Sequence, residues 1–188
     1  EFTAGGNELL DLRIDDQDHT AQALREGEVI GAVTATGTTI AGCNSWPLGT
    51  MRYVAAASPS FVARYFAGGV TAQSLAQAPI MTFDRKDRLQ DQWMQANALA
   101  SRHSGPRHFL PSNYGYVQAC EIGMGWGMHP TVLITKQLQS GRLVPLIDNT
   151  PLDVPLYWAL PRSAQTSLER LTDCVMRAAL SVLAPGSL

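Results

Sequence analysis

The feature that most constrains this chain is an alternation of short apolar, β-rich runs with capped helical stretches, which begins near its start. Leu9 to Ile14 (LLDLRI) reads as a short buried strand. Asp15-Asp16-Gln17-Asp18 carries turn and N-cap chemistry. A helix is predicted from about His19 to Glu26, with Gly27 placed to end it. Val29 to Thr34 (VIGAVT) reads as a second strand. A strand–helix–strand unit this short, with buried strands, points to a parallel α/β architecture.

The alternation continues. Strand-like runs are predicted at Cys43–Leu48 and Met51–Ala57. Ser58-Pro59 opens a helix to Tyr65, with proline in its favoured first turn. Thr71-x-x-Ser74 opens another. Strands are expected at Pro79–Phe83 and His108–Leu110, and helices at Asp87–Ala98 and Tyr114–Ile122, the latter capped by Ser112-Asn113. Met124–His129 reads as a strand, Pro130–Leu138 as a helix, Arg142–Leu146 as a strand. Pro151–Pro155 reads as a linker and Leu156–Leu160 as a strand. A last helix is expected over about Ser163–Leu183, with Leu168, Leu171, Val175 and Val182 on one stripe.

The densest local signal is Gly123-Met124-Gly125-Trp126-Gly127-Met128-His129-Pro130. Alternate glycines suggest a dinucleotide fingerprint, but such a fingerprint follows a strand and opens a helix. Here the first glycine ends a helix and the run continues as a strand. Close backbone packing or ligand approach is the better reading. Asp15, Asp16, Asp18 and His19 lack the glycine and distal glutamate of a calcium loop. They read as a solvated turn and cap, although ligands of α/β folds sit beyond strand carboxyl ends, where one of these carboxylates is placed. Asp84-Arg85-Lys86-Asp87-Arg88 follows a strand in the same way. It reads either as a self-paired charged loop or as a place where Asp84 or Asp87 receives a cationic group. Ser112-Asn113 caps a helix whose N–H groups also suit a carboxylate.

Composition excludes several functions. Hydrophobic residues make up 45% and charged residues 16%, with a formal net charge of −2. A chain that binds nucleic acid by itself usually carries a basic excess, so direct DNA binding is not expected. Cys43, Cys120 and Cys174 are far apart and outside any C-x-x-C spacing, so they are expected to be free thiols in a reducing cytosol. No apolar run approaches the ~20 residues that span a bilayer, and no signal peptide is visible. There is no G-x-S-x-G elbow, and His19, His103, His108 and His129 show no metal-ligand spacing. No cofactor, metal or catalytic residue is expected.

The order of elements, with Gly27-Glu28-Val29-Ile30-Gly31-Ala32-Val33 early and Glu121-Ile122 leading into the glycine run late, resembles the effector domain of LysR-type transcriptional regulators. Asp15-Asp16-Gln17-Asp18-His19-Thr20, Leu48-Gly49-Thr50-Met51-Arg52-Tyr53 and Ala57-Ser58-Pro59-Ser60-Phe61 look like the LysG/ArgP branch. So do Arg64-Tyr65-Phe66, Thr82-Phe83-Asp84-Arg85-Lys86-Asp87 and Pro155-Leu156-Tyr157-Trp158. The resemblance covers about Leu10 to Val182.

It implies two Rossmann-like α/β lobes of the type 2 periplasmic-binding-protein kind, joined by two crossovers, with the effector between them. Lobe I would hold residues 1–54 and 152–188, and lobe II residues 55–151. The winged helix-turn-helix of the family is not in this sequence, so operator DNA would be bound only through that other domain. The first strand and helix of the effector domain also look missing, so lobe I is expected to be truncated at its N-terminus. Glu1-Phe2 matches a pair encoded by a common restriction site, and the natural chain is expected to begin upstream.

The branch senses lysine and arginine and controls genes of their export or metabolism. The resemblance therefore implies a cytoplasmic, non-enzymatic sensor of a cationic amino acid that forms a homodimer or tetramer. A periplasmic-type solute-binding protein is the alternative, and a small α/β enzyme a third reading that no constellation supports. An amino acid needs a carboxylate site and an ammonium site. Ser112, Asn113 and the helix they cap are candidates for the first, Asp16 and Asp84 for the second, with Asp87 behind them. Thr34 is placed to hydrogen-bond the ligand, and Tyr114 and Met128 to line its aliphatic stem.

Overall fold

The computed structural model describes residues 9–14, 17–35, 37, 40–100 and 105–185. The chain divides into two compact units, Glu1–Met51 with Val154–Leu188, and Arg52–Asp153.

In the first unit, α1 (Gln17–Glu26) ends at Gly27, whose φ of 74° favours a residue without a Cβ. Strand β1 (Ala32–Thr34) pairs antiparallel with β7 (Leu152–Pro161), with Ala32 opposite Ala159 and Thr34 opposite Tyr157. β7 lies beside β2 (Cys43–Ala57). Two buried groups hold the unit. Leu24, Ala32, Ile40, Cys43 and Ala159 form one. Leu48, Trp158, Leu160 and Ala179 form the other, where Leu171 and Val175 of α7 (Glu169–Val182) pack. Gly31 lies under the Trp158 indole: a Cβ there would stand 2.8 Å from Cζ2.

Several expectations change here. Leu9–Ile14 forms no strand, and Leu9, Leu12 and Ile14 are exposed. A strand exists through its ladder, and no described strand pairs with this segment. The parallel crossover expected over residues 9–34 is therefore not formed, and β1 is antiparallel to its neighbour. The two strands expected at Cys43–Leu48 and Met51–Ala57 are one 15-residue strand that passes through Pro47 and Gly49. Pro151–Pro155 is not a linker, because β7 starts at Leu152. β2 and β7 are thus the two segments that run from one unit into the other. The last helix is shorter than expected, a 3-10 turn (Arg162–Ala164) preceding α7.

In the second unit, β3 (Ile80–Thr82) and β4 (Arg107–Phe109) are parallel, with Thr82 opposite Phe109. β5 (Gly127–Pro130) runs antiparallel to the later part of β2, with Val54 opposite His129, and β6 (Val144–Pro145) pairs there too. Five helices accompany these strands among the described residues. In α2 (Pro59–Tyr65), Ser58 Oγ accepts from Phe61 N. In α3 (Ala72–Gln77), Thr71 and Ser74 cap reciprocally. α4 (Leu89–Ala96), α5 (Asn113–Glu121) and α6 (Thr131–Gln139) complete the set.

The core joins Phe61, Leu75, Ile80, Trp93, Met94 and Trp126, all nearly solvent-free. Each such side chain contributes about 1.5–3 kcal/mol by leaving water. The glycine run closes α5 at Gly123 (φ 84°) and then enters the sheet. Trp126 bridges Ile80, and its carbonyl accepts from Met81 N at 2.8 Å. A Cβ on Gly125 would lie 3.0 Å from the Pro79 carbonyl oxygen, and one on Gly127 would strike the Tyr116 ring. Close backbone approach explains these glycines, and a dinucleotide fingerprint does not.

Candidate functional site

Parallel pairing of β3 and β4 puts the loops after both strands at one edge of the second unit. The edge is fixed by Leu110 N donating to Thr82 O at 2.9 Å and by Thr82 Oγ1 donating to His108 O at 2.7 Å. Ligands of α/β sheets collect at such carboxyl ends.

The loop after β3 carries both signs of charge, Asp84 and Asp87 among Arg85, Lys86 and Arg88, and is folded on itself. Asp84 Oδ1 accepts from Lys86 N at 2.7 Å and from Asp87 N at 2.9 Å. Asp87 is committed more fully: Oδ2 accepts from Phe83 N at 3.0 Å and Oδ1 from Leu89 N at 3.1 Å. Asp87 thereby serves the start of α4, whose N-cap position, Arg88, makes no side-chain cap bond. Arg85 leaves the loop and lies over the Phe109 ring at 4.9 Å.

The loop after β4 leads into α5. Ser112 Oγ accepts from Gly115 N at 3.2 Å. Asn113 and Tyr114 are exposed in the first turn, and Tyr114 Oη accepts from Gln118 Nε2 at 2.8 Å. A carboxylate loop and a helix N-terminus, the latter with partial positive charge, therefore stand on adjacent parallel strands. One suits a cation and the other an anion.

A buried polar group lies beneath. Gln90 is 1% exposed, and the two N–H bonds of its Nε2 are shared among Met81 O at 2.8 Å, Tyr116 Oη at 3.1 Å and Asp87 Oδ2 at 3.2 Å. Tyr116 Oη donates to Met81 O at 2.8 Å. Burial pushes the Tyr116 phenol well above its ordinary range. His129 meets the Tyr116 ring edge-on at 5.1 Å, and its Nε2 is buried with no hydrogen-bond partner. Desolvation lowers its pKa to about 4, so it is neutral at pH 7. The Tyr53 phenol is raised by burial and then by the charge of Asp87.

Of the sequence-derived candidates, Asp84, Asp87, Ser112, Asn113 and Tyr114 come together at this edge. Met128 does not join them at the surface: it is 4% exposed and packs into the core on β5. Thr34 belongs to the first unit, buried on β1 opposite Tyr157. Asp16 lies outside the described residues. Sequence reasoning missed Gln90 and Tyr116. A polar residue inside an otherwise apolar helical face was the available signal for Gln90. Among the described residues no group of three or more His, Cys, Asp or Glu side chains is placed to hold a metal.

An α/β unit with cation- and anion-accepting loops on one sheet edge has the build of a small-molecule-binding module. The chain belongs to the LysR substrate binding domain family, whose model matches residues 8–179. Its fold is the type 2 periplasmic-binding-protein-like fold of LysR effector-binding domains. It is 43% identical to the HTH-type transcriptional regulator LysG of Mycobacterium tuberculosis over 98% of this chain and 60% of the relative. It is 37% identical to ArgP of Pseudomonas fluorescens over 98% of the chain and 62% of the relative. The chain thus spans about three fifths of these relatives' length. Among solved structures, the C-terminal domains of a LysR family protein from Agrobacterium tumefaciens superpose with a TM-score of 0.93 at 49% identity, covering 98% of this chain and 88% of that one. Full-length LysG of Corynebacterium glutamicum with bound effector Arg gives a TM-score of 0.86 at 36% identity, covering 98% and 62%.

Proposed function

We propose that this chain is the effector-sensing regulatory domain of a LysR-type transcriptional regulator, and that it binds a basic amino acid, arginine or lysine. The observation that carries the reading is the pairing of Asp84 with the N-terminus of α5 at the carboxyl ends of parallel β3 and β4. The bound effector Arg of the related LysG supports it. The ligand's carboxylate meets Ser112, Asn113 and the first N–H groups of α5, while Asp84 receives a cationic group. Tyr114 covers the aliphatic stem from the exposed first turn. Asp87 stands behind Asp84 and holds the loop, its Oδ2 accepting from Phe83 N and its Oδ1 from Leu89 N. Asp16 and Thr34 are candidates of the first unit, each tested by its own substitution.

The regulator acts in the cytoplasm, as a homodimer or tetramer, and meets operator DNA through a separate domain. It turns nothing over. The effector shifts the regulator between two states only by its difference in affinity for them. No described helix is long and apolar enough to cross a membrane.

Calorimetric titration with arginine of the wild type and of Asp84→Asn tests the site. A hydrogen bond between charged groups contributes about 1.5–3 kcal/mol, so the substitution is expected to weaken binding by roughly tenfold to a hundredfold. Unchanged affinity would remove Asp84 from the site.

A further inference from the structure

We infer that Gln90, together with Tyr116, is a positioning residue for effector recognition, a tether that holds the loop of Asp84 and Asp87 at the height of the α5 N-terminus. The inference rests on the effector site proposed above. Gln90 is nearly solvent-free on α4, yet its amide nitrogen faces three oxygens: the Met81 carbonyl on β3, the Asp87 carboxylate in the loop and the Tyr116 hydroxyl on α5. Tyr116 closes the arrangement by donating to the same Met81 carbonyl. One amide thus joins the end of β3, the loop that carries Asp84, and the helix whose N-terminus faces the ligand's carboxylate.

The chemistry of the amide argues for positioning over packing. Its Oε1 is buried with no hydrogen-bond partner, which costs free energy that an apolar side chain of the same length would avoid. Methionine would fill the same space. What methionine lacks is the N–H donation that fixes Asp87 Oδ2. Asp87 in turn gives its backbone N–H to Asp84 Oδ1, so the orientation of the Asp84 carboxylate follows that of Asp87. Gln90 itself makes no bond to Asp84, and any effect on recognition passes through the loop.

The test is a thermodynamic cycle read by arginine calorimetry on wild type, Gln90→Met, Asp84→Asn and the double variant, with Tyr116→Phe as a second probe that keeps the ring. Gln90→Met is expected to weaken arginine binding at least tenfold, and Tyr116→Phe roughly threefold. The double variant is expected to bind within about twofold of Asp84→Asn, since a mispositioned loop matters only while Asp84 is there to be positioned. A full additive loss in the double variant, or wild-type affinity in Gln90→Met, would overturn the inference. Amide exchange without ligand separates this failure from failure of the effector reading. Gln90→Met is expected to speed exchange at Phe83 and Leu89, the two N–H groups donated to Asp87, at least tenfold. Unchanged rates overturn the tether whatever the ligand proves to be.

Discussion

His129 is the clearest residue-scale case of sequence and surroundings acting together. It sits on β5 among apolar neighbours, 1% exposed, with its ring against Tyr116. Its folded pKa of about 4 lies below the ordinary 6.5, so the unfolded chain binds the proton first as pH falls. Stability is therefore unaffected by this group above pH 6.5 and is lost as pH drops through the window toward 4. The loss approaches about 3 kcal/mol, from 1.36 kcal/mol per pKa unit. Denaturant unfolding of wild type and His129→Leu from pH 7 to pH 4 reads it. The stability difference is expected to move by about 3 kcal/mol in favour of the leucine variant, and a pH-independent difference would contradict burial of a neutral imidazole. The sequence flagged His129 only as a histidine without ligand spacing. Its burial depends on β2 pairing opposite it through Val54, a contact between residues far apart in the chain.

At the scale of elements, local chemistry was legible and pairing was not. Ser58, Thr71 and Ser112 cap α2, α3 and α5 as their spacing suggested, because a cap is decided by residues within a turn of it. Leu9–Ile14 had strand composition and forms no ladder, and Pro151–Pro155 had linker composition and starts a strand. A ladder needs a partner that composition does not name. The glycine run was legible in kind: Gly125 and Gly127 are glycine because a neighbour is close. Gly127→Ala would put a methyl 2.8 Å from Tyr116 Cε1, inside van der Waals contact. Overpacking of this sort costs about 1–3 kcal/mol, whereas Gly68→Ala meets nothing within 4 Å and is expected to stay within about 0.5 kcal/mol of wild type. Urea midpoints of the two variants provide the comparison, and equal midpoints would refute the packing account of the run.

At the scale of the whole molecule, periodicity gave parallel α/β in the wrong place: the pairing near the start of the chain is antiparallel, and the parallel pair is β3 with β4. The site shows the same division. Asp84, Ser112 and Asn113 could be named because they sit at helix starts and strand ends, where sequence signals concentrate. Gln90 and Tyr116 are brought to one carbonyl only by the pairing of β3 with β4 and the packing of α4 and α5 around it. The central claim is that this chain is a receptor for a cationic amino acid. It is tested most directly by thermal unfolding with arginine, lysine, citrulline or norleucine, the last two matching the first two in shape while lacking the side-chain cation. At a hundred times its dissociation constant a ligand adds about 2.7 kcal/mol, a rise in Tm of about 5–10 °C for a chain of this size. Arginine or lysine should give that rise and their neutral counterparts almost none. An equal rise with citrulline or norleucine, or a rise with neither cation, would contradict the claim.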